Sequence, residues 1–196
     1  SGRPAAAFVI TGPGLTHTLT AMAQAKADSG PMLVVSGLGR SDTLGKGLGR
    51  LHELPDQGAM VATLCHSETV TDPKKLGEVL DRAFAVMTPG RPGPAHLQIS
   101  TNRMAQPCPE LPPPVVSSSA VPLPLGRLRS IAAALNSAER VVILAGGGIR
   151  GSETQLQKLA ESLDAPVIQT VNARGAMFGH PLTVPASPSL TSVRKF

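Results

Sequence analysis

Two glycine turns and one histidine–acid pair are the places where this sequence could do chemistry. The first turn, Gly12-Pro13-Gly14, follows the β-rich run Phe8-Val9-Ile10-Thr11 and opens a helical stretch that carries His17. A turn at the carboxyl end of a parallel strand lies where open α/β sheets receive their ligands. Glycine there lets a ligand or a neighbouring segment approach the main chain closely. The second turn, Gly146-Gly147-Gly148, follows the apolar run Arg140 to Ala145. Gly146-x-Gly148-x-x-Gly151 spells the dinucleotide fingerprint in its strand-to-helix setting, but the acid that should end the next strand is missing. That strand closes on Val171-Asn172, and Asp164 comes before it. The pair is His52-Glu53, at the end of a glycine-rich loop. A histidine there can serve a ligand; taken alone, a loop histidine making ordinary hydrogen bonds is the better reading. Gly45-Lys46-Gly47-Leu48-Gly49 lacks the Lys-Ser/Thr pair of a phosphate loop and reads as plain loop.

The elements that must position these residues are legible from periodicity. Phe8 to Thr11 reads as a strand buried on both faces, and Met32 to Gly37 as its parallel neighbour. Leu15, Leu19, Met22 and Ala23 give the intervening helix one apolar face. Gly30 and Pro31 stop it, the glycine by taking a positive φ and the proline by lacking an N–H. Asp72-Pro73 opens a helix as N-cap and first residue, with Leu76, Val79, Leu80, Ala83, Phe84 and Met87 as core face and Pro89-Gly90 as stop. A strand follows from Ala95 to Ser100. His96 within it reads as structural.

Residues 105–124 hold seven prolines and a run of three serines, the composition of an extended interdomain linker. Beyond it the pattern predicts a helix over Leu125, Leu128, Ile131, Ala132 and Leu135, and a buried strand from Arg140 to Ala145. Next come a capping box from Ser152 to Gln155 and a helix with Leu156, Leu159, Ala160 and Leu163 inward. A strand at Val167 to Val171 follows, and a helix begins at Ser189. The fold class is therefore α/β, with parallel sheets in two domains, 1–104 and 125–196.

Composition narrows the function classes. The 196 residues carry a net charge of +5, 41% hydrophobic residues, four Phe and neither Trp nor Tyr. A binder of single-stranded nucleic acid needs stacking aromatics, so no nucleic-acid partner is expected. Cys65 and Cys108 show no metal-ligand spacing, and no apolar run has the length of a membrane span. A cytoplasmic protein with incidental thiols, no metal ligands of its own and no membrane partner is the expectation.

The phrases Thr11-Gly12-Pro13-Gly14-Leu15-Thr16-His17 and Ala25 to Gly37 resemble the pyrimidine-binding domain of thiamine-diphosphate enzymes, in the acetolactate synthase and 2-oxo acid decarboxylase branch. Gly90-Arg91-Pro92-Gly93-Pro94-Ala95 is similar to the closing strand of that domain. Ala145 to Gly148 and Asn172-Ala173-Arg174-Gly175 resemble the family's Rossmann-like central domain. Leu51-His52-Glu53 stands where acetolactate synthases carry Phe-Gln-Glu, and is more similar to decarboxylases of guanidino-oxo acids.

The resemblance implies thiamine diphosphate with Mg²⁺ as cofactors, and FAD or ADP in the central domain of some members. It implies a 2-oxo acid substrate and a homodimer or tetramer. It places Gly12, Pro13, Gly14 and His17 toward the cofactor, His52 and Glu53 near substrate and cofactor, and Gly146, Gly147 and Gly148 toward a nucleotide. The family's activating glutamate and its Gly-Asp-Gly metal motif are not in these residues. Both domains are therefore expected to be incomplete, and the 196 residues alone to be inactive. A nucleotide-binding module or a subunit-assembly piece is the alternative.

Overall fold

The structure is a computed structural model describing residues 4–88, 90–111 and 122–193. Residues 112–121 of the proline-rich linker and Pro89 of the helix stop fall outside the described residues. The chain forms two compact units, Ser1–Ala120 and Val121–Phe196.

The first unit is built on a parallel sheet of four strands: β1 (Ala5–Val9), β2 (Met32–Leu38), β3 (His66–Val70) and β4 (Pro94–Ser100), in the order β1-β2-β4-β3. Helix α1 (Pro13–Ala27) links β1 to β2, and α2 (Gln57–Ala62) precedes β3. A 3-10 turn at Pro73–Lys75 and helix α3 (Leu76–Met87) link β3 to β4, and the short α4 (Thr101–Met104) follows β4. Asp72 caps the turn by accepting from Lys74 N.

Residues of β2 and β4 alternate between two layers, as the period of a strand requires. Leu33, Ala95 and Leu97 join Val79, Ala83 and Met87 of α3, with Leu76, Leu80 and Phe84 at the margin. Val34 points the other way, into a cluster with Leu15 and Met22 of α1 and Val61 of α2. The strand steps β1→β2 and β3→β4 run in opposite directions across the sheet, and their helices pack in opposite layers. The order therefore reverses between β2 and β4, the topological switch point at which ligands enter such sheets.

Three expectations for this unit change. β1 is an edge strand spanning Ala5–Val9, and Phe8 and Ile10 are 79% and 59% exposed, so it is not buried on both faces. Ala23 is exposed, which leaves Leu15 and Met22 as the buried face of α1. The residue with positive φ at the end of α1 is Ser29 (φ 55°), not Gly30. Gly30 N donates to Ala25 O at 2.7 Å and Ser29 N to Lys26 O at 3.4 Å. These are the two bonds of a Schellman stop, and they put Ser29 at its left-handed position.

The second unit holds three short parallel strands, β5 (Ile143–Ala145), β6 (Val167–Gln169) and β7 (Thr183–Val184), in that order. Helix α6 (Glu153–Leu163) joins β5 to β6 and buries Leu156 and Ala160 against Ala145, Val167 and Met177. Leu159 is 43% exposed. β7 carries no strand signal in the sequence, and turns replace the helix expected at Ser189. β5 is shorter than predicted, and Leu144 is 64% exposed, so the strand is covered on one face only. Helix α5 (Leu125–Ser137) forms as predicted but buries none of its residues; Leu125, Leu128 and Ile131 stay exposed.

The capping box at Ser152 does not form. Ser152 has ψ 23°, away from the extended cap conformation, and makes no side-chain cap bond. α6 ends as α1 does: Ala165 N donates to Ala160 O at 2.9 Å and Asp164 N to Glu161 O at 3.3 Å, with Asp164 at φ 47°. A left-handed Asp is strained relative to glycine. Asp164→Gly should therefore stabilise this unit by about 0.5–1 kcal/mol, read as a rise in thermal midpoint, whereas Asp164→Val should lower it.

Candidate functional site

The Gly12 turn is built to be side-chain free. β1 ends at Val9, the backbone turns at Gly12 with φ 63° and ψ −114°, and Pro13 begins α1 at a position where its missing N–H is no loss. A Cβ on Gly12 would lie 2.4 Å from the carbonyl oxygen of His52, which itself sits at φ 64°. Conformation and space both demand glycine here. The His52 backbone thus lies against the turn, and its Nδ1 is buried without a hydrogen-bond partner.

One side chain ties the turn to the sheet. Gln57, 2% exposed at the start of α2, accepts at Oε1 from Thr11 Oγ1 (2.8 Å) and from the Gly12 N–H (3.1 Å). Its Nε2 donates to Ser36 Oγ (3.1 Å) and to Gly37 O (2.8 Å). All four hydrogen-bonding positions of the amide are used. The chain of bonds continues from Ser36 Oγ to His96 Nε2 (2.8 Å), and from His96 Nδ1 to Ser67 Oγ (2.8 Å). His96 is fully buried, and that burial pushes its pKa down to about 4, so the imidazole is neutral at physiological pH. Nothing in the sequence around Gln57 marked it, since its partners stand 20 to 46 residues away.

A cavity of about 340 Å³ opens beside this network, at the carboxyl ends of the strands and beneath loop 39–56. Thr11, Leu38, Thr69, Gln98 and Gln57 reach it from the sheet side, Arg50, Glu53 and Asp56 from the loop. Of the residues singled out by sequence, Gly12, His52 and Glu53 therefore gather at one end of the sheet. Pro13 and Gly14 continue the turn into α1, and His17 is exposed along that helix, away from the cavity lining. Cys65 is half-buried, and burial pushes its thiol up to about 11, which leaves it protonated and unreactive at neutral pH.

The second glycine turn is a different object. Gly147–Ile149 form a 3-10 turn, and α6 starts only at Glu153, beyond the third glycine of the run. Gly147 packs on Asn172, while Gly146 and Gly148 face open space. Glu153 Oε1 accepts from the Gly151 N–H at 3.1 Å, and its main-chain hydrogen bonds hold its carboxyl below the usual range. A carboxylate already occupies the helix entrance where a dinucleotide would place its pyrophosphate. The helix starts too late for the fingerprint read from the sequence, and these residues do not fit a fingerprint-bound FAD or ADP.

Two family models of thiamine pyrophosphate enzymes match the chain one after the other, and the chain belongs to that family. Residues 1–60 match the family's N-terminal TPP binding domain and residues 128–192 its central domain. Over 185 residues the chain is 40% identical to a Pseudomonas aeruginosa protein described as "Probable 2-ketoarginine decarboxylase AruI", covering 90% of this chain and 32% of that protein. It is 29% identical to the acetolactate synthase isozyme 1 large subunit of Escherichia coli, covering 93% of this chain and 33% of the relative. The chain thus spans about a third of the length of these relatives. Its fold matches a solved chain described as "putative thiamin diphosphate-dependent enzyme isolated from Mycobacterium smegmatis", with a TM-score of 0.76 and 21% identity over 87% of this chain and 33% of that one. No described helix is long and apolar enough to cross a membrane.

Two outcomes follow from the network. Gln57→Leu strands the Thr11 hydroxyl, the Gly12 N–H and the Gly37 carbonyl, and should lower unfolding free energy by about 3 kcal/mol or more in urea titration. His96 binds a proton in the unfolded chain near pH 6.5 but in the native state only near pH 4, so stability is full above pH 6.5 and is lost as pH falls toward 4. The loss attributable to His96 should reach about 3 kcal/mol, and in His96→Gln the dependence over that window should flatten.

Proposed function

We propose that this chain supplies the pyrimidine-facing wall and the adjoining central-domain segment of a thiamine-diphosphate-dependent enzyme acting on a 2-oxo acid. The reaction is decarboxylation, or joining of two oxo acids in the manner of acetolactate synthase. The observation that carries this reading is the Gly12 turn: a side-chain-free ligand turn, clamped by Gln57, next to a buried and unpartnered His52 nitrogen. The buried, unpartnered His52 nitrogen over the turn fits the pyrimidine end of the cofactor, where it can find a partner. The fit to Mg²⁺ is different. Among the described residues no three His, Cys, Asp or Glu side chains gather where an ion could sit.

When bound, thiamine diphosphate supplies an electron sink for the bond beside the oxo group. The chain's own part is positional. Gln57 fixes the main chain of Thr11 and Gly12 relative to β2, so the turn presents one geometry. His52 covers the turn and offers Nδ1 to a polar group. The neutral His96 supports Ser36, which in turn accepts from Gln57. Holding the wall rigid is worth much, because misplacement of a reacting group by an ångström is costly in rate. A homodimer or tetramer and a cytoplasmic setting belong to the same proposal.

Gly12→Ala tests the proposal. The added Cβ must displace the His52 carbonyl, so the protein carrying this chain should lose at least tenfold in thiamine diphosphate affinity, by calorimetry. Its consumption of 2-oxo acid, with Mg²⁺ and cofactor added, should fall in step. Gly126→Ala on exposed α5, where the new Cβ meets nothing within 4 Å, should leave both unchanged. Wild-type binding by Gly12→Ala, or no 2-oxo acid consumed, overturns it.

A further inference from the structure

One buried polar group at the carboxyl end of the first sheet finds no partner within the described chain. Gln98 of β4 pairs in register with Ser36 of β2 and Thr69 of β3, so the three side chains form one polar row across the sheet. Ser36 is engaged by Gln57 and His96, which leaves Gln98 to Thr69. Gln98 Nε2 donates to Thr69 Oγ1 at 2.8 Å, while its Oε1 is buried and accepts from nothing. The residue is 6% exposed and lines the cavity of about 340 Å³ beneath loop 39–56. Space is reserved for its amide. A Cβ on Gly58, in the first turn of α2, would stand 2.6 Å from Gln98 Nε2, and Gly58 has no positive φ, so room alone calls for glycine there. The lining does not supply the missing donor. Thr11 Oγ1 is spent on Gln57 and Thr43 Oγ1 on the Arg40 carbonyl. The charged lining residues all belong to the loop, where Arg50 and Asp56 are exposed, so the buried wall is neutral and selects by hydrogen bonding.

We infer that Gln98 is the specificity-determining residue of this cavity: its Oε1 accepts an N–H or O–H of the bound molecule and turns away an isostere that presents an acceptor there. A site built to receive a donor rejects the analogue that lacks it, because the buried oxygen is then left unpaired. Two molecules can bring the donor, the aminopyrimidine of thiamine diphosphate or a donor-bearing group of the 2-oxo acid. The second source rests on the function proposed above.

The test uses two probes that differ in one group, N-methylbutanamide and methyl butanoate, in which an ester oxygen replaces the N–H. Their binding to the protein carrying this chain is followed by NMR titration. Saturable binding of the amide, about tenfold tighter than the ester or more, is the expected result. Gln98→Met keeps the length and removes both hydrogen-bonding atoms, and should cut that preference below about twofold. In Gln98→Glu the preference should persist, since a carboxyl still offers one oxygen to the probe while Thr69 Oγ1 donates to the other. Native amide spectra verify that both variants fold. Equal binding of the two probes, as when a water serves Oε1 in both complexes, overturns the inference, and so does binding of neither. An unchanged preference in Gln98→Met overturns it too, as does a lost preference in folded Gln98→Glu, where Nε2 rather than Oε1 would be the reading atom. Displacement of N-methylbutanamide by thiamine diphosphate assigns the donor to the cofactor, and joint binding assigns it to the substrate. If the preference is found but the protein consumes no 2-oxo acid, the proposed reaction fails while the role of Gln98 stands. If oxo acid is consumed but the probes bind equally, the reverse holds.

Discussion

The Gln57 amide is the constraint on which the carboxyl end of the first unit's sheet depends. A glycine turn with positive φ has many conformations open to it, and Pro13 fixes only the residue that follows. What selects one of them is an amide that accepts from the turn and donates to the neighbouring strand. The same residue starts α2, whose N-cap Asp56 holds the end of loop 39–56. Turn, strand end and loop are thereby locked to one another through a single side chain. Such a fully satisfied amide specifies a geometry where an apolar residue of equal size would only fill space.

This arrangement explains why the two layers around the sheet differ in kind. Toward α3 the strands present Leu33, Ala95 and Leu97, with His66 and Glu68 of β3 and Arg82 of α3 as a charged group at the β3 edge. Toward α1 and α2 they present Val34, then Ser36, His96 and Gln98, all buried. Buried polar groups are tolerated only when partnered, and three of these four positions show how: Ser36 and His96 bond to each other, and Gln98 to Thr69. The exception, Gln98 Oε1, is at the cavity. Buried uncharged polar groups are thus concentrated in the α1–α2 layer, while the apolar cluster under α3 carries much of the burial that holds the sheet together.

Much of this was legible in the sequence, and the reasons for the rest are physical. The alternation of His96 and Gln98 with Leu97 and Ile99 announces a strand with two distinct faces, and the core face of α3 is readable from spacing alone, because both signals are local. Gln57 is not readable: its partners come from two distant segments, the turn after β1 and the end of β2, and a polar residue after a loop has no periodicity to break. Ser29 and Asp164 defeat the expectation that glycine takes the left-handed position, because the tertiary fold imposes the stop and the residue bears the strain. In the second unit the run Val141 to Ala145 promises more strand than forms, since pairing with β6 begins only at Ile143.

The two glycine turns show what a motif leaves undetermined. Each follows a parallel strand, each precedes a helix, and each reads as a ligand turn. Their fates are decided by one neighbouring side chain apiece. At Gly12 the amide of Gln57 takes up the turn's N–H from the sheet side, and α1 begins at once on Pro13. At Gly146 the run is spent on a 3-10 turn, the helix starts late, and the Glu153 carboxylate occupies the Gly151 N–H that a phosphate would need. An anion brought there would meet a like charge at hydrogen-bonding distance, at the helix end that otherwise favours it. The spelling of glycines therefore reports only that the main chain can be approached. Whether a ligand approaches it is settled by the charge and hydrogen-bonding state of the residue that arrives first.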